Sequence, residues 1–342
     1  MYVPSRLRML KRRIFRRSDG ERILRARYRS LYRQELDCVN PLTFSAKLFQ
    51  RMIWINRNGH PVFTRLADKY RARDYVTATL GAHYLAKLLW HGVDPHRIPF
   101  DILPEQYVIK ANHWSRDHVI VRGDYCYFCR SFEYTARAVD REEIIEHFTN
   151  MLGQSYYWQH REYHYHAIPP QILIEELLDD GELKGPLDYR VWCFDAVPEL
   201  IQVTNTDQSV NQFYDPQWKA LDLRTCTGEN CSVARPDSLQ QILAAASTLA
   251  GDIDFVRIDL YSTRGNIRFG EMTFTPGAGH LQLRPPIWDL ILGEKWKIKA
   301  TFGRPPDHRR RNQGDSPRPP REATLLQNHA TKNFRRQIRP RD

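Results

Sequence analysis

Residues 256–279 contain two acidic side chains whose placement constrains the fold more than any other feature of the chain. Apolar and polar residues alternate over 256–261, which is typical of a half-buried strand. Turn-forming residues follow at 263–266, and 267–273 then has the composition of a returning strand. The segment therefore predicts a β-hairpin with acidic residues on both of its strands.

The length of the hairpin loop decides which residues face one another. With a three-residue loop, 264–266, Asp259 lies opposite Glu271 and Arg257 lies opposite Thr273. A two-residue loop would shift the register by one residue and put the two carboxylates on opposite faces. Facing carboxylates, with Cβ atoms about 5 Å apart, repel one another unless a cation lies between them. Mg²⁺ suits that gap and usually arrives with substrate phosphates, whereas the alternative is an ordinary hairpin with solvated acids.

The positive charge of the chain is concentrated at its two ends. The formal net charge of the 342 residues is +11. Residues 1–35 contain 12 basic and 3 acidic side chains, and residues 303–342 contain 11 basic and 4 acidic side chains. The middle, 36–302, is therefore mildly acidic at −5. The length allows a sizeable core and about two domains, and no apolar run approaches the roughly 18 residues that span a membrane. Because the N-terminus lacks the apolar segment of a secretory signal, we expect a cytoplasmic protein.

The two ends predict different behaviour. Leu7, Leu10 and Ile14 recur at helical spacing among basic residues, so 1–35 is expected to be a basic amphipathic N-terminal extension. Such a helix either makes a peripheral contact with an anionic membrane or packs one stripe on the body as a solvated helix. The composition of 303–342 predicts a basic disordered tail. No basic motif interleaved with aromatic residues supports a nucleic-acid partner.

The six cysteines do not form the framework of a disulfide-rich protein. Cys126 and Cys129, together with Cys226 and Cys231, are four potential zinc ligands, but the spacing of the second pair is loose. Reduced, partly buried thiols are the favoured interpretation, and the sequence assigns no role to Cys126 or Cys129.

Helices and strands are interspersed along the body, 36–302, which predicts an α+β fold with mainly antiparallel sheets. Residues 36–105 are mostly helical, and one predicted helix covers 62–80. Residues 156–166 are crowded with Tyr, Trp and His without a clear period, which indicates a loop over a cleft.

Two lysines occupy positions where an anion would stabilise them. Lys110 ends a short apolar strand, where burial is costly without an anion, so it is a natural phosphate ligand unless its amine reaches solvent. Lys69 follows Asp68 in a predicted helix, and the alternative interpretation of these two residues is a solvated charge pair.

Polar residues on two further strands suit nucleotide chemistry. Glu175 and Glu176 follow an apolar strand and either face an adenine and ribose or simply reach solvent. Asp188 and Arg190 share one face of another strand, from which Arg190 can bind a phosphate with two hydrogen bonds.

Taken together, these residues resemble the ATP-grasp superfamily, and in particular its TupA-like branch. The motifs NPLTFSAKL, LADKY, KANH, ILIEELL, DYRVWCF, NQFYD and GEMTFTPGAG occur in that order over roughly residues 36–300. The resemblance implies two α+β subdomains that clasp a nucleotide, a lid-type nucleotide subdomain at 106–174 and a metal-site subdomain at 175–302, preceded by the helical part at 36–105. The TupA-like branch is associated with teichuronopeptide and other surface-polysaccharide biosynthesis.

The resemblance also implies a role for each matching residue. The implied ATP ligands are Lys69, Lys110, Ser115, Glu175, Glu176, Leu177, Asp188 and Arg190, and the implied Mg²⁺ ligands are Asp259, Glu271 and Thr273. The implied catalytic residues are Arg257 and Lys110, and the implied substrate residues are Arg161, Glu162, Tyr165, Gly277 and Gly279. Mg²⁺ and ATP are the implied cofactors, and a polysaccharide, a lipid-linked saccharide or an amino acid is the implied substrate.

The chain departs from the branch pattern in the loop after Lys110. The branch usually has glycines there, whereas this chain has Trp114 and Arg116 around Ser115. Those side chains keep the backbone from approaching a phosphate as glycines allow. Thr273 also stands where many ATP-grasp ligases have Asn, although a hydroxyl still ligates Mg²⁺.

The resemblance implies a ligase that forms an amide bond between a carboxylate and an amine through an acyl phosphate, in surface-polysaccharide biosynthesis or modification. An ATP-grasp kinase and a polysaccharide-biosynthesis glycosyltransferase are alternatives within enzymes. The alternative that is not an enzyme is a nucleotide-binding protein without catalysis, because the loop after Lys110 lacks glycines.

Overall fold

A computed structural model describes residues 20–115, 117–130, 133–178, 186–205, 209–225, 232–263 and 265–299. Several predicted features lie outside these ranges, namely the first 19 residues of the basic extension, Arg116, Cys226, Cys231 and the tail 303–342. Within the described ranges, no helix is long and apolar enough to cross a membrane.

Four helices form the first part of the described chain. They are α1 (Gly20–Tyr32), α2 (Phe44–Asn58), α3 (Pro61–Ala67) and α4 (Ala72–Thr79). The hydroxyl of Thr43 caps α2 by accepting a hydrogen bond from the backbone N–H of Ala46. One helix was predicted over 62–80, but a turn at 68–71 divides it, with Asp68 accepting hydrogen bonds from Tyr70 and Arg71. Lys69 therefore lies in a turn between two helices and not within a helix.

The first sheet is antiparallel throughout and has the strand order β1-β6-β2-β3-β4-β5. Its strands are β1 (Leu88–Gly92), β2 (Gln106–Ala111), β3 (Asp117–Arg122), β4 (Tyr125–Arg130), β5 (Glu133–Ala138) and β6 (Ile172–Glu176). The helices α5 (Arg141–Leu152), α6 (Tyr157–His160) and α7 (Tyr163–His166) lie between β5 and β6 in the chain. The segment 156–166, predicted as a loop, thus contains two short helices.

The second sheet is also antiparallel and has the order β11-β10-β7-β8-β9. Its strands are β7 (Asp188–Phe194), β8 (Val197–Thr204), β9 (Asn211–Tyr214), β10 (Phe255–Thr263) and β11 (Asn266–Thr273). Helix α8 (Leu239–Ala250) covers its apolar face, and α9 (Ile287–Lys295) packs on α2. These two antiparallel sheets with their helices give the α+β fold that the sequence predicts.

The β10–β11 hairpin has the predicted pairing at its functional end, although its loop is shorter than predicted. Thr263 pairs with Asn266, so two residues connect the strands. An irregularity after Asp259 leaves Gly270 as an extra residue on β11, and this bulge restores the register. Asp259 consequently lies opposite Glu271, and Arg257 lies opposite Thr273, as predicted.

Cys126 and Cys129 are buried in strand β4. Residues three apart in a strand point to opposite faces of the sheet, so these two side chains are not placed to share one metal ion. The geometry therefore supports the interpretation of both as reduced thiols.

The stability of the fold should decrease below pH 6.5 because His60 must remain neutral. Its Nδ1 accepts the hydrogen bond of the Phe63 backbone N–H (3.0 Å) at the start of α3. Burial and the nearby Arg51 lower the pKa of His60 from 6.5 to about 4. The unfolded chain therefore binds a proton first, and the loss in free energy of unfolding between pH 6.5 and 4 is about 3 kcal/mol.

Urea unfolding at several pH values measures this loss, with His60→Asn as the matched variant. Asparagine still accepts the capping hydrogen bond but does not titrate. The stability of His60→Asn should vary less with pH than that of the wild type, and an equal variation in both would contradict the prediction.

Candidate active site

Two antiparallel pairings bring Arg190, Asp259 and Glu271 into one row across the second sheet. Asp259 in the central strand β10 lies opposite Arg190 of β7 on one side and opposite Glu271 of β11 on the other. Directly opposed residues project from the same face of a sheet, so the three charged groups share one surface. Asp188 and Arg190 also share a strand face, and the Arg190 Nε donates to Asp188 Oδ2 at 2.7 Å.

Arg257 and Lys69 neutralise the two facing carboxylates. The Arg257 guanidinium donates to both oxygens of Asp259 (2.7 and 2.5 Å) and to the Thr273 hydroxyl at 3.1 Å. The Lys69 amine, from the turn between α3 and α4, lies 3.3 Å from Glu271 Oε2. The structure thus brings seven of the predicted site residues together from three separate parts of the chain, namely Lys69, Asp188, Arg190, Arg257, Asp259, Glu271 and Thr273.

The two carboxylates of this cluster ionise differently. Burial raises the pKa of Asp259 to about 7, although Arg257 acts to lower it. Burial also acts to raise the pKa of Glu271, but Lys69, Arg257 and Arg190 outweigh it and hold the pKa at about 2. Asp259 is therefore the carboxylate that would gain more from a further cation near neutral pH.

The oxygen atoms at this end of the hairpin fit a magnesium ion that is completed by phosphates. Asp259, Glu271 and Thr273 offer hard oxygen donors on one surface, and Asp188 Oδ1 is buried without a hydrogen-bond partner. Within the described ranges, no three His, Cys, Asp or Glu side chains cluster so as to hold an ion by themselves. Mg²⁺ characteristically takes one or two protein carboxylates and leaves its other positions to phosphates and water.

A second charged cluster lies on the first sheet. Lys110 of β2 is 2.5 Å from Glu175 Oε2, and Arg73 of α4 is 2.6 Å from Glu175 Oε1. His118 of β3 lies directly opposite Lys110, and both Lys110 and Lys69 act to lower its pKa. The lysines from two parts of the chain therefore lie near one histidine.

Sequence reasoning missed Arg73 and His118. Arg73 lies four residues after Lys69, and it reaches Glu175 only because the chain turns between α3 and α4. The position of His118 was accessible from the sequence, since a hairpin around the loop 112–116 places it opposite Lys110.

Glu175 and Glu176 both belong to strand β6 and have different surroundings. Glu175 is buried between Lys110 and Arg73, whereas Glu176 accepts the Lys87 backbone N–H at 2.9 Å. A cleft of about 520 Å³ opens beside Glu176, within the usual size range of small-molecule sites. Its lining includes Tyr70, Arg73, Lys87 and Leu88. Leu177 follows β6 and is half-buried.

The loop after Lys110 is packed against the body by Trp114. This indole is 9% exposed and contacts the Tyr156 ring edge-on, with centroids 5.5 Å apart. The Trp114 carbonyl accepts a hydrogen bond from Lys69 Nζ at 2.8 Å. Ser115 follows as a half-buried residue. The loop therefore presents an acceptor, not a backbone donor, to the lysine.

The segment 161–165 lies beside the hairpin. Burial, Glu271 and Glu162 hold the pKa of Tyr165 well above its usual value. Glu162 is buried and accepts a hydrogen bond from the Thr275 hydroxyl. Arg161 is fully buried, and its guanidinium carbon lies 5.2 Å from the centroid of the Tyr157 ring. Tyr165 thus lies close enough to Glu271 for that carboxylate to affect its pKa.

Gly277 and Gly279 follow β11 in a tight turn, and both have positive φ angles (62° and 77°). A Cβ on Gly279 would lie 2.8 Å from ring atoms of Phe49 in α2. The carbonyl of Ala278 accepts a hydrogen bond from Arg27 at 2.8 Å, which links the turn to α1. Packing alone therefore requires glycine at 279.

Gly279→Ala should destabilise the protein more than Gly265→Ala. The two glycines have nearly the same φ (77° and 76°), so alanine costs about 1–2 kcal/mol of backbone strain at either position. Nothing lies within 4 Å of a Cβ on Gly265, whereas the clash with Phe49 should add about 1–3 kcal/mol at Gly279. Urea unfolding of both variants measures the difference, and equal losses would contradict the packing role of Gly279.

Comparison with solved structures finds ATP-grasp ligases at low similarity. A D-alanine–D-alanine ligase from Bacillus anthracis in complex with ATP has a TM-score of 0.35 and 12% identity, with 66% of this chain and 61% of that chain covered. An L-amino acid ligase from Bacillus licheniformis has a TM-score of 0.39 and 12% identity, covering 76% and 55%. A RiPP-associated ATP-grasp ligase from Chryseobacterium gregarium has a TM-score of 0.30 and 9% identity, covering 64% and 55%. The chain thus spans about six-tenths of the length of the first of these ligases.

The two sheets and their helices have the α+β architecture predicted for an ATP-grasp protein. The family model described as TupA-like ATPgrasp matches residues 46–297, which is most of the chain. The chain therefore belongs to the TupA-like ATP-grasp family. The predictions of the family and of the fold are confirmed. No curated protein matches the sequence.

Proposed function

We propose that the protein is an ATP- and Mg²⁺-dependent ligase that joins a carboxylate to an amine in cell-surface polysaccharide biosynthesis. The observation that carries the proposal is the row of Arg190, Asp259 and Glu271, with Arg257 and Lys69 beside it. Such a row concentrates positive groups and metal-binding oxygens on one surface. A reaction that moves a phosphoryl group requires this combination.

In this proposal the charged side chains of both sheets hold the nucleotide. Lys69 and Lys110 exchange their present partners, Glu271 and Glu175, for phosphate oxygens. Glu175, Glu176 and Leu177 contact the adenine and ribose beside the cleft, with Ser115, Asp188 and Arg190 completing the site. Asp259, Glu271 and Thr273 hold Mg²⁺, which neutralises charge on the phosphates when it is bound.

The proposed chemistry has two steps, and neither needs a protein nucleophile. A carboxylate oxygen of the substrate attacks the γ-phosphorus while the bond to the ADP oxygen breaks, which gives an acyl phosphate. The amine nitrogen then attacks the acyl carbon, the bond to the phosphate oxygen breaks, and the amine loses a proton to solvent. Arg257 and Lys110 stabilise the transferring phosphoryl group and hold it in line.

The substrate binds in this proposal near Tyr165 and the Gly277–Gly279 turn. Tyr165 is close enough to Glu271 for that carboxylate to affect its pKa. Arg161 and Glu162 are buried, so they shape the wall behind Tyr165. The resemblance to the TupA-like branch supports a substrate that contains a uronic acid, carried by a polysaccharide or a lipid-linked saccharide, or an amino acid.

The same proposal places the protein in the cytoplasm with a peripheral membrane contact through residues 1–35. The basic residues at helical spacing in the sequence support it. Anionic vesicles should bind the full chain more strongly than they bind a variant that lacks 1–19, and added salt should weaken the binding. Equal binding of both chains would contradict this part of the proposal.

Purified protein tests the reaction itself. Incubation with ATP, Mg²⁺, uronic-acid oligosaccharides and free amino acids should release ADP and inorganic phosphate together with an amide product. A stable phosphorylated sugar in place of free phosphate would indicate a kinase. ATP binding without turnover across all of these substrate pools would contradict the proposed ligase.

A further inference from the structure

The hairpin of β2 and β3 places Lys110 and His118 on either side of the loop 112–116. The two residues are direct partners in the antiparallel register, so their side chains leave the same face of the first sheet. Cβ atoms of such partners are about 4.5–5.5 Å apart. Lys69 is close enough to this face to influence His118 as well. His118 therefore lies beside Lys110 and within electrostatic reach of Lys69, the two lysines of the proposed phosphate site.

Within the described part of the loop between these strands, 112–115, a backbone carbonyl faces the Lys69 side of the site. The Trp114 carbonyl points toward Lys69, and its buried indole fixes the loop against Tyr156. Asn112 is fully buried, and its side chain is engaged with Asp68 (2.9 Å) and the Pro169 carbonyl (3.0 Å). Lys110 and His118, at the base of the loop, place side-chain donors for phosphate oxygens on this face of the sheet.

We infer that His118 is a third phosphate-binding side chain, which acts with Lys110 and Lys69 on the nucleotide. This inference rests on the proposed ATP site and assigns it a residue outside the set that the resemblance implies. An imidazole N–H donates a hydrogen bond to a phosphate oxygen, and its cationic form donates a stronger one. His118 thus adds a donor beside the amine of Lys110.

The charges around His118 imply that nucleotide binding is accompanied by proton uptake. Burial, Lys110 and Lys69 together lower the pKa of His118 to about 4, against the opposing effect of Asp117. The other cross-strand neighbour is Cys129 of β4, and the Asp117 carboxylate lies 2.9 Å from His147. Phosphates placed among the two lysines reverse the local charge and raise the pKa of His118. The imidazole is then protonated in the complex at a pH where it is neutral in the free protein.

Calorimetric titration with the ATP analogue AMP-PNP and Mg²⁺ tests the inference on the full chain. Titrations near pH 7 in buffers of different ionisation enthalpy should show uptake of a fraction of a proton, with less uptake at higher pH. His118→Gln should abolish this uptake and weaken AMP-PNP binding about tenfold, as expected for a lost hydrogen bond to a charged group. The matched control is His96→Gln, an exposed histidine that should leave both the uptake and the affinity unchanged.

A second measurement does not depend on a variant. NMR titration of the imidazole signals of the wild-type protein should show that the pKa of His118 rises when AMP-PNP binds. Binding of AMP-PNP without a rise in this pKa, or with full affinity and unchanged uptake in His118→Gln, would overturn the inference and leave the proposed nucleotide site standing. Failure of the wild type to bind AMP-PNP would overturn the proposed site and the inference together.

Discussion

Replacing Asp259 with asparagine should reduce ATP-dependent release of ADP and phosphate at least about 100-fold, the usual cost of removing one group that stabilises transition-state charge. Asparagine has nearly the same shape, but it leaves Arg257 and Arg190 without their shared carboxylate and removes a proposed Mg²⁺ ligand. Because Asp259 is buried, the substitution should also lower the free energy of unfolding, so turnover is compared under conditions where urea unfolding shows that the variant is folded. Coupled-enzyme assays of ADP and phosphate release measure the effect. They use the acid and amine substrates for which an amide product has been found.

The matched control for this change is Asp222→Asn. Asp222 is exposed and only loosely paired with Arg224 at 3.4 Å, so its substitution removes a carboxylate outside the site. Its turnover should equal that of the wild type. Urea unfolding should show that both variants are folded. If Asp259→Asn then had wild-type turnover, the proposed role of Asp259 would be contradicted.

Replacing Arg51 with methionine should lower the free energy of unfolding by about 3–5 kcal/mol, because it leaves a buried charge without its partner. Arg51 and Asp254 are 1% and 0% exposed and form an ion pair between α2 and the start of β10. The Arg51 guanidinium also donates to the carbonyls of Phe255 (2.8 Å) and Phe274 (3.1 Å). Its Cζ atom lies 4.3 Å from the Trp296 ring centroid, so this single side chain connects the helical part to the second sheet.

Urea unfolding measures this loss, and Lys295→Met is the control. Lys295 pairs with Glu199 at 2.6 Å, but both side chains are partly exposed, so the substitution should cost about 1 kcal/mol or less. A cost for Arg51→Met similar to that of the control would show that the buried pair does not stabilise the fold as described.

The sequence predicted the pairing of Asp259 with Glu271 correctly, but it predicted the wrong loop length for the hairpin. The prediction assumed a three-residue loop, whereas the loop has two residues and Gly270 forms a bulge. A Cβ on Gly270 would lie 3.0–3.1 Å from Tyr261 and from the Asp259 carbonyl, so glycine suits that position. Strand alternation is visible in a sequence, but a single extra residue is not, because it depends on how the strands pack.

The neighbours of the lysines were less predictable. The Lys110 contact with Glu175 joins residues 65 positions apart, and the break that frees Lys69 from a helix depends on hydrogen bonds to Asp68. Local periodicity extends a helix through such a break, because it contains no information on tertiary hydrogen bonds. The buried pair of Arg51 and Asp254 was not predicted for the same reason, since each residue alone has the appearance of an ordinary surface charge.

The predicted nucleotide and substrate residues differ in how the structure places them. Asp188, Arg190, Arg257, Asp259, Glu271 and Thr273 come from one sheet face, and Lys69 reaches them from a turn. Arg161 is enclosed and Gly279 packs on Phe49, so for these two the fold provides a reason that does not involve a substrate. A motif match does not distinguish these cases, because burial depends on the complete fold.

In the proposed function, Asp259 and Glu271 form an MgATP site together with Lys69 and Lys110. Calorimetry with AMP-PNP tests it most directly, in Mg²⁺ and in EDTA, with the wild type and with Glu271→Gln. The wild type should bind at least about tenfold more tightly with Mg²⁺, and Glu271→Gln should lose most of this difference because one of the two carboxylate ligands of the ion is gone. Affinity that is independent of both Mg²⁺ and Glu271, or no binding by the wild type, would contradict it.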